Sequence, residues 1–243
     1  MKSFKWLAVA ALSLLALAPP AHSAVVIDSS ATNFQFNVDY TGHVGGSYTT
    51  GVSALSTFTF TGLSNNDRTY NFNYSITNDS DVSSRLRSFG FNEVSATTLS
   101  NISSTGAYAY AERDANYPEG FGNIEICFAA TGNGTCTGGS DGLSSDLVET
   151  GTGTFALTLS QAVASLALDD FIVRFQSINP TINGSSSGVG IGTVTSSGVT
   201  GLDPVVSAAP EPMTWAMMIL GFGLIGLAMR QRAGRALMVI GAR

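Results

Sequence analysis

At 243 residues, with 12% charged residues, 2 histidines and a net charge of −6, the chain lacks the basic surface of a nucleic-acid binder and the ligands of a histidine-rich metal site. Between Ala24 and Ala209 there is no lysine, and five arginines face sixteen Asp and Glu, a net of about eleven negative charges. Such a surface repels nucleic acid and anionic lipid headgroups and excludes both as expected partners.

Lys2 and Lys5 precede an apolar run from Trp6 to Ala18, and Ala21-His22-Ser23 then supplies small residues. This is the order of a secretory signal, and the run is well short of the ~20 residues that span a bilayer. Residues 1–23 are read as a signal peptide, cleaved after Ser23 or Ala24, so that His22 leaves with it and His43 alone remains.

From Ala24 onward the pattern alternates with period two. Phe34, Phe36, Val38 and Tyr40 alternate with Asn33, Gln35, Asn37 and Asp39, and Tyr70, Phe72, Tyr74 and Ile76 with Asn71, Asn73 and Ser75. Further strands are predicted at Leu55 to Thr61, Leu86 to Val94, Ala107 to Glu112, Ile124 to Ala129, Thr154 to Ser160, Phe171 to Ile178 and Val189 to Thr195. Gln161 to Leu168 is ambiguous between a short helix and a turn. The expected fold of residues 24–182 is all-β, an antiparallel β-sandwich or jelly roll.

Cys127 and Cys136 flank the turn-rich Thr131-Gly132-Asn133-Gly134. In an oxidising compartment they are expected to pair, because two cysteines with no neighbouring histidine fill only half a zinc shell and the spacing is not that of a redox motif.

The exported part holds several letter patterns that resemble chemical sites. Gly138-Gly139-Ser140-Asp141-Gly142 matches a nucleophile elbow in letters, but no histidine follows it. Gly151-Thr152-Gly153-Thr154-Phe155-Ala156 leads into a strand and not into a phosphate-binding helix. Glu93, Glu112, Glu119 and Glu125 could furnish a carboxylate pair for glycoside chemistry, though no spacing selects two of them. Asp79, Asp81, Asp141 and Asp146 lie in turn-like stretches and are calcium candidates set against solvated turns; no other cofactor is expected. Tyr108, Tyr110 and Tyr117 are read either as a sugar-stacking face or as strand-edge packing.

Residues 183–209 read as a last strand running into a Gly/Ser/Thr-rich tether. Pro210-Glu211-Pro212 then holds the backbone extended, as a protease substrate requires. Residues 213–229 carry no charge, enough for about 25 Å of helix, the short end of a membrane span, with Trp215 at interfacial depth. Arg230, Arg232 and Arg235 should stay cytoplasmic and leave the β domain outside.

The tail resembles the PEP-CTERM family of sorting segments, in the subgroup with Trp-Ala-Met-Met-Ile and Gly-Phe-Gly. Pro210, Glu211, Pro212, Thr214, Trp215, Ala216, Gly221, Phe222, Gly223, Arg230 and Arg232 fall on that pattern, as do Met217, Met218, Ile219 and Gly226. It covers residues 210–232, whereas Gln231 interrupts the arginines and residues 233–243 form an extension such tails usually lack. The resemblance implies export through the inner membrane of a Gram-negative bacterium, transient anchoring by the C-terminal helix, and recognition by an exosortase, an integral membrane cysteine protease. Ser84-Arg85-Leu86-Arg87-Ser88-Phe89-Gly90-Phe91 and the two cysteines look, more loosely, like the cistern family of PEP-CTERM proteins.

The expected function is that of a non-enzymatic surface or extracellular-matrix protein of an exopolysaccharide- or biofilm-forming cell. The alternatives are a carbohydrate-binding module for the exopolysaccharide and, behind it, a matrix-remodelling enzyme.

Overall fold

The computed structural model describes residues 24–195, apart from 96, 131–134 and 140. Its strands are β1 (Val25–Asp28), β2 (Gln35–Val44), β3 (Ser47–Ser64), β4 (Thr69–Asn78), β5 (Ser83–Glu93), β6 (Leu99–Ser104), β7 (Tyr110–Tyr117), β8 (Gly122–Ala129), β9 (Leu143–Ser144), β10 (Thr150–Leu159), β11 (Ser165–Asn179) and β12 (Gly188–Thr195). A single 3-10 turn at Gly106–Tyr108 lies between β6 and β7. All pairings are antiparallel, in the order β6-β10-β4-β3-β2-β12-β11-β5-β8-β7, with β1 on β11 and β9 on β5.

That order dictates the shape. β6 and β7 lie at opposite ends of the sheet, yet only residues 105–109 separate them in the chain. Ten strands laid flat would put the two ends about 43 Å apart, at roughly 4.8 Å per strand. Six Cα steps reach at most about 21 Å. The sheet must therefore roll until its ends approach, and it forms a nearly closed, barrel-like layer.

The inner face of the roll holds the main core, and the alternating phenylalanines and tyrosines fill it. Phe36, Phe58, Phe89, Phe91 and Phe128 are all fully buried. The Phe155 ring lies 4.7 Å from Phe72, 5.2 Å from Phe128 and 5.9 Å from Phe58, so one side chain joins strands far apart in the order. Tyr74 is the ring that closes the roll. Its hydroxyl donates to the Thr105 carbonyl at 2.7 Å and accepts from the Tyr108 amide at 2.9 Å, pinning both sides of the link between the sheet ends. Gly153 makes this approach possible, because a Cβ there would run into the Thr105 carbonyl and the Tyr74 hydroxyl.

The predicted strands at 34–40, 55–61, 70–76, 86–94, 124–129, 154–160, 171–178 and 189–195 lie on β2, β3, β4, β5, β8, β10, β11 and β12, most of which run longer than predicted. The predicted strand from Ala107 begins only at Tyr110, because the closing link takes Gly106–Tyr108 as a turn. Ser165 to Leu168, in the ambiguous segment, is the start of β11 and pairs with β1. β1, β6 and β9 lie outside the predicted strands; they are short, and β6 has one buried apolar residue, Leu99, with Ile102 partly buried beside it.

A second layer lies outside the roll. The β7–β8 hairpin crosses the outer face at β11, at the Val189 end of β12 and at the His43 end of β2, burying Ala115, Tyr117 and Ile124 against Ile172 and Val189. Its turn is held at the far side, where Glu119 accepts the Gly46 amide at 2.8 Å and that of Gly45 at 3.3 Å. The rest of the outer face, over β10, β4, β3 and the Gln35–Asp39 end of β2, has no such cover among the described residues.

Tyr74→Phe removes both bonds to the closing link and strands the buried Tyr108 amide. We expect a loss of about 1–3 kcal/mol, read as a lower urea midpoint at unchanged slope. The buried phenols give a second test. Burial pushes Tyr40, Tyr108 and Tyr117 far above the ordinary tyrosine range. A folded-state pKa above the unfolded value of about 10 means that stability is intact below that pH and falls as pH rises through it. Alkaline titration should therefore show these phenols ionising together with loss of the β-sheet circular dichroism; ionisation with the fold intact would contradict the packing.

Candidate functional site

The outer face carries two contrasting regions, one covered and built around a disulfide, the other bare and hydroxylated. On the covered side Cys127 of β8 is bonded to Cys136, with Cα atoms 6.2 Å apart, as expected from the sequence. Residues 135–138, beyond β8, are stitched down through their own backbone. Ser88 donates to the Cys136 carbonyl at 2.6 Å, and the Cys136 amide donates to Glu112 at 2.8 Å. The Tyr117 hydroxyl in turn donates to Ser88 at 2.9 Å.

Two arginines complete the latch. Arg87 sits at a bulge where β5 slips against β11, so that Arg87 and Ser88 both turn outward between the inward Leu86 and Phe89. It is fully buried, and its Nε donates to the Thr135 and Gly138 carbonyls, each at 3.2 Å. Arg174 donates through Nε to Thr137 at 3.2 Å and through Nη1 to Gly188 at 2.6 Å, and burial lowers its pKa. Main-chain carbonyls thus replace part of the water that these buried guanidiniums lose, while both Nη atoms of Arg87 are buried with no hydrogen-bond partner among the described residues. The Ser84 to Phe91 run is therefore a structural latch for the disulfide segment, a role its letters did not announce.

Beside the covered region lies a groove of about 280 Å³ with Phe121, Ile124, Ile172 and Ile191 in its walls and Asn92, Asn123 and Asp170 among its polar groups. Phe121 packs edge-on against His43, which in turn packs against the exposed Tyr48. His43 faces the Glu119 carboxylate at 3.8 Å.

The four candidate glutamates do not gather into one site. Only Glu93 and Glu125 come together: Glu125 accepts the Glu93 amide at 3.3 Å and faces Arg113 at 3.6 Å, while Glu93 accepts the Ser95 amide at 2.6 Å. Burial holds the Glu125 carboxyl above its ordinary range. Glu112 and Glu119 are each engaged with loop amides, as above. Ser140 lies outside the described residues, and the stretch around it leads into β9 rather than a helix; Gly151 to Ala156 lies within β10. Tyr108 and Tyr117 are fully buried, which removes them as a sugar-stacking face and leaves Tyr110 alone of the three at the surface.

The calcium candidates are dispersed. Asp79 and Asp81 lie between β4 and β5, where the Asp79 carbonyl accepts Ser53 at 3.2 Å, Asp141 lines a depression with Arg85 and Leu143, and Asp146 follows β9. Among the described residues no three His, Cys, Asp or Glu gather closely enough to hold a metal ion. The sorting residues Pro210 to Arg232 and the expected helix at 213–229 lie outside the described residues.

On the bare half of the outer face, residues opposite one another form ranks across the strands. One runs Thr152, Ser75, Thr57, Asn37 and Thr195 through β10, β4, β3, β2 and β12. The next runs Thr154, Asn73, Thr59 and Gln35. Neither contains a charge. Neighbours bond to each other, Thr57 to Asn37 at 2.9 Å, Thr77 to Thr150 at 2.7 Å and Thr105 to Thr154 at 2.8 Å. Period-two reading gave the alternation of each strand, but the ranks need the register, which no single strand contains.

Neither a protein-family model, nor a curated protein, nor a solved structure matches this chain.

Arg87→Lys keeps the charge but loses the Nε donor that joins Thr135 and Gly138. We expect the Cys127–Cys136 bond to be reduced several-fold faster by dithiothreitol, and the variant to lose about 1.5–3 kcal/mol of stability. Reduction at the wild-type rate would show that the latch does not hold the segment.

Proposed function

We propose that this chain is an exported surface or extracellular-matrix protein, whose tail from Pro210 to Arg232 is processed by an exosortase and whose β domain acts without catalysing a reaction. The observation that carries the proposal is the run Pro210-Glu211-Pro212, the uncharged residues 213–229 and Arg230 with Arg232, which follows a chain that opens with a signal-like segment. The fold is in keeping with export. It contains a disulfide, which persists in oxidising compartments. The glutamates near the surface are engaged with main-chain amides, as a structural role requires.

A second reading, a carbohydrate-binding module for the cell's exopolysaccharide, is favoured by the uncharged ranks of hydroxyls and amides on an otherwise acidic domain.

Intact mass of the protein recovered from culture medium and outer membrane, in wild type and in a strain lacking the exosortase, tests the sorting proposal. We expect a product beginning near Ala24 and ending near Pro210-Glu211-Pro212 in wild type, and a retained tail in the mutant. A tail kept through Arg243 in both strains would reduce the last segment to a plain anchor.

A further inference from the structure

We propose that the bare outer face of β10, β4, β3 and β2 binds a neutral polysaccharide chain laid across the hydroxyl and amide ranks. This deepens the carbohydrate-binding reading and rests on it.

Charge is the first argument. A solvated sheet face ordinarily carries both signs of charge, whereas these two ranks carry none and the rank beyond them, through Thr150, Thr77, Leu55 and Thr193, carries only Asp39. An uncharged polyol can exchange its water for such groups without burying an ion, and an acidic glycan gains no cation in return.

The second argument is periodicity. Donors and acceptors repeat about every 4.8 Å across the strands and about every 6.8 Å along them. A polysaccharide is itself periodic, so individually weak contacts are multiplied along one chain. Preorganisation adds to this: threonine is stiff at χ1, and the bonds Thr57 to Asn37 and Thr105 to Thr154 hold the hydroxyls in place before a ligand arrives. Each hydroxyl still has a lone pair or proton to offer.

Shape supplies the third. A depression of about 220 Å³ opens on this same face, lined by Thr61, Asn71, Asn73, Ser103, Thr154 and Ala156. Leu55, 47% exposed within the third rank, offers an apolar contact to the C–H face of a sugar ring.

The test is affinity electrophoresis of the full chain in detergent through gels containing dextran, amylose, xyloglucan or galactomannan, with alginate as the acidic comparison. Asn73→Arg and Thr152→Arg place a large charge on exposed positions of the two ranks. Phe121→Ala alters the groove on the covered half. We expect retardation by at least one neutral polysaccharide and none by alginate, weakening by about tenfold in each arginine variant, and unchanged retardation in Phe121→Ala. If an arginine variant fails to fold by circular dichroism, Asn73→Ala and Thr152→Ala take its place, with a smaller loss in the same direction. Retardation by a neutral polysaccharide that survives the rank variants, or is lost in Phe121→Ala, overturns this site while leaving carbohydrate binding in place. Retardation by alginate alone overturns the choice of a neutral ligand. No retardation by any polysaccharide removes the carbohydrate-binding reading and the inference together.

Discussion

The structure depends on one short link. Because residues 105–109 must join the two ends of the strand order, the sheet cannot stay open, and everything else follows from the roll. The Tyr74 hydroxyl holds the Thr105 carbonyl and the Tyr108 amide, and the Tyr108 hydroxyl continues inward to the Leu86 carbonyl at 3.0 Å. A polar chain thus runs from the closing link to β5 without leaving a donor unpaired. Rolling also explains the aromatic content. An enclosed interior walled by strands must be filled by side chains reaching from opposite walls, and phenylalanine reaches farther than valine or leucine at a small entropic cost.

The same roll divides the outer face. β5 is shared between β11 and β8 and slips register against β11, and the bulge turns Arg87 and Ser88 out together. An outward arginine on a sheet is ordinarily wet. Here residues 135–138 lie over it and present their carbonyls, and the Cys127–Cys136 bond keeps them close. Closing a loop of about ten residues restricts the unfolded chain by roughly 2–3 kcal/mol, while the guanidinium bonds act on the folded state. The two devices are complementary: the covalent bond makes the approach cheap in entropy, and the arginines choose one conformation within it.

How much of this was legible in the residues varies with the kind of information each feature requires. The strands built on alternating Phe and Tyr could be read because burial of one face imposes period two, and the cysteine pair could be read from compartment and spacing. Tyr108 and Tyr117 could not be placed. As single letters they serve equally as a surface stack or a core, and only the closing link and the crossing hairpin decide that both are buried. Arg87 was visible as part of a motif but not as a latch, because its partners lie about fifty residues away and are main-chain atoms, which any residue supplies. β6 and β9 escaped since their strand character comes from the neighbours that pair with them.

The placement of carboxylates connects fold and surface. Glu112, Glu119, Glu125 and Glu149 all accept main-chain amides, those of Cys136, Gly46, Glu93 and Ser144 respectively. Each bond draws negative charge to a strand end or a loop, where unpaired amides need an acceptor, and away from the middle of the sheet, where amides are already paired. A domain can therefore be strongly acidic overall and still present a neutral sheet face. Solubility is supplied by the loops, which leaves Thr, Ser and Asn on β10, β4, β3 and β2 free of the need for charge. On the proposed reading, that division is what would let one small domain repel polyanions at long range through its net charge and meet an uncharged polyol at short range through its hydroxyls.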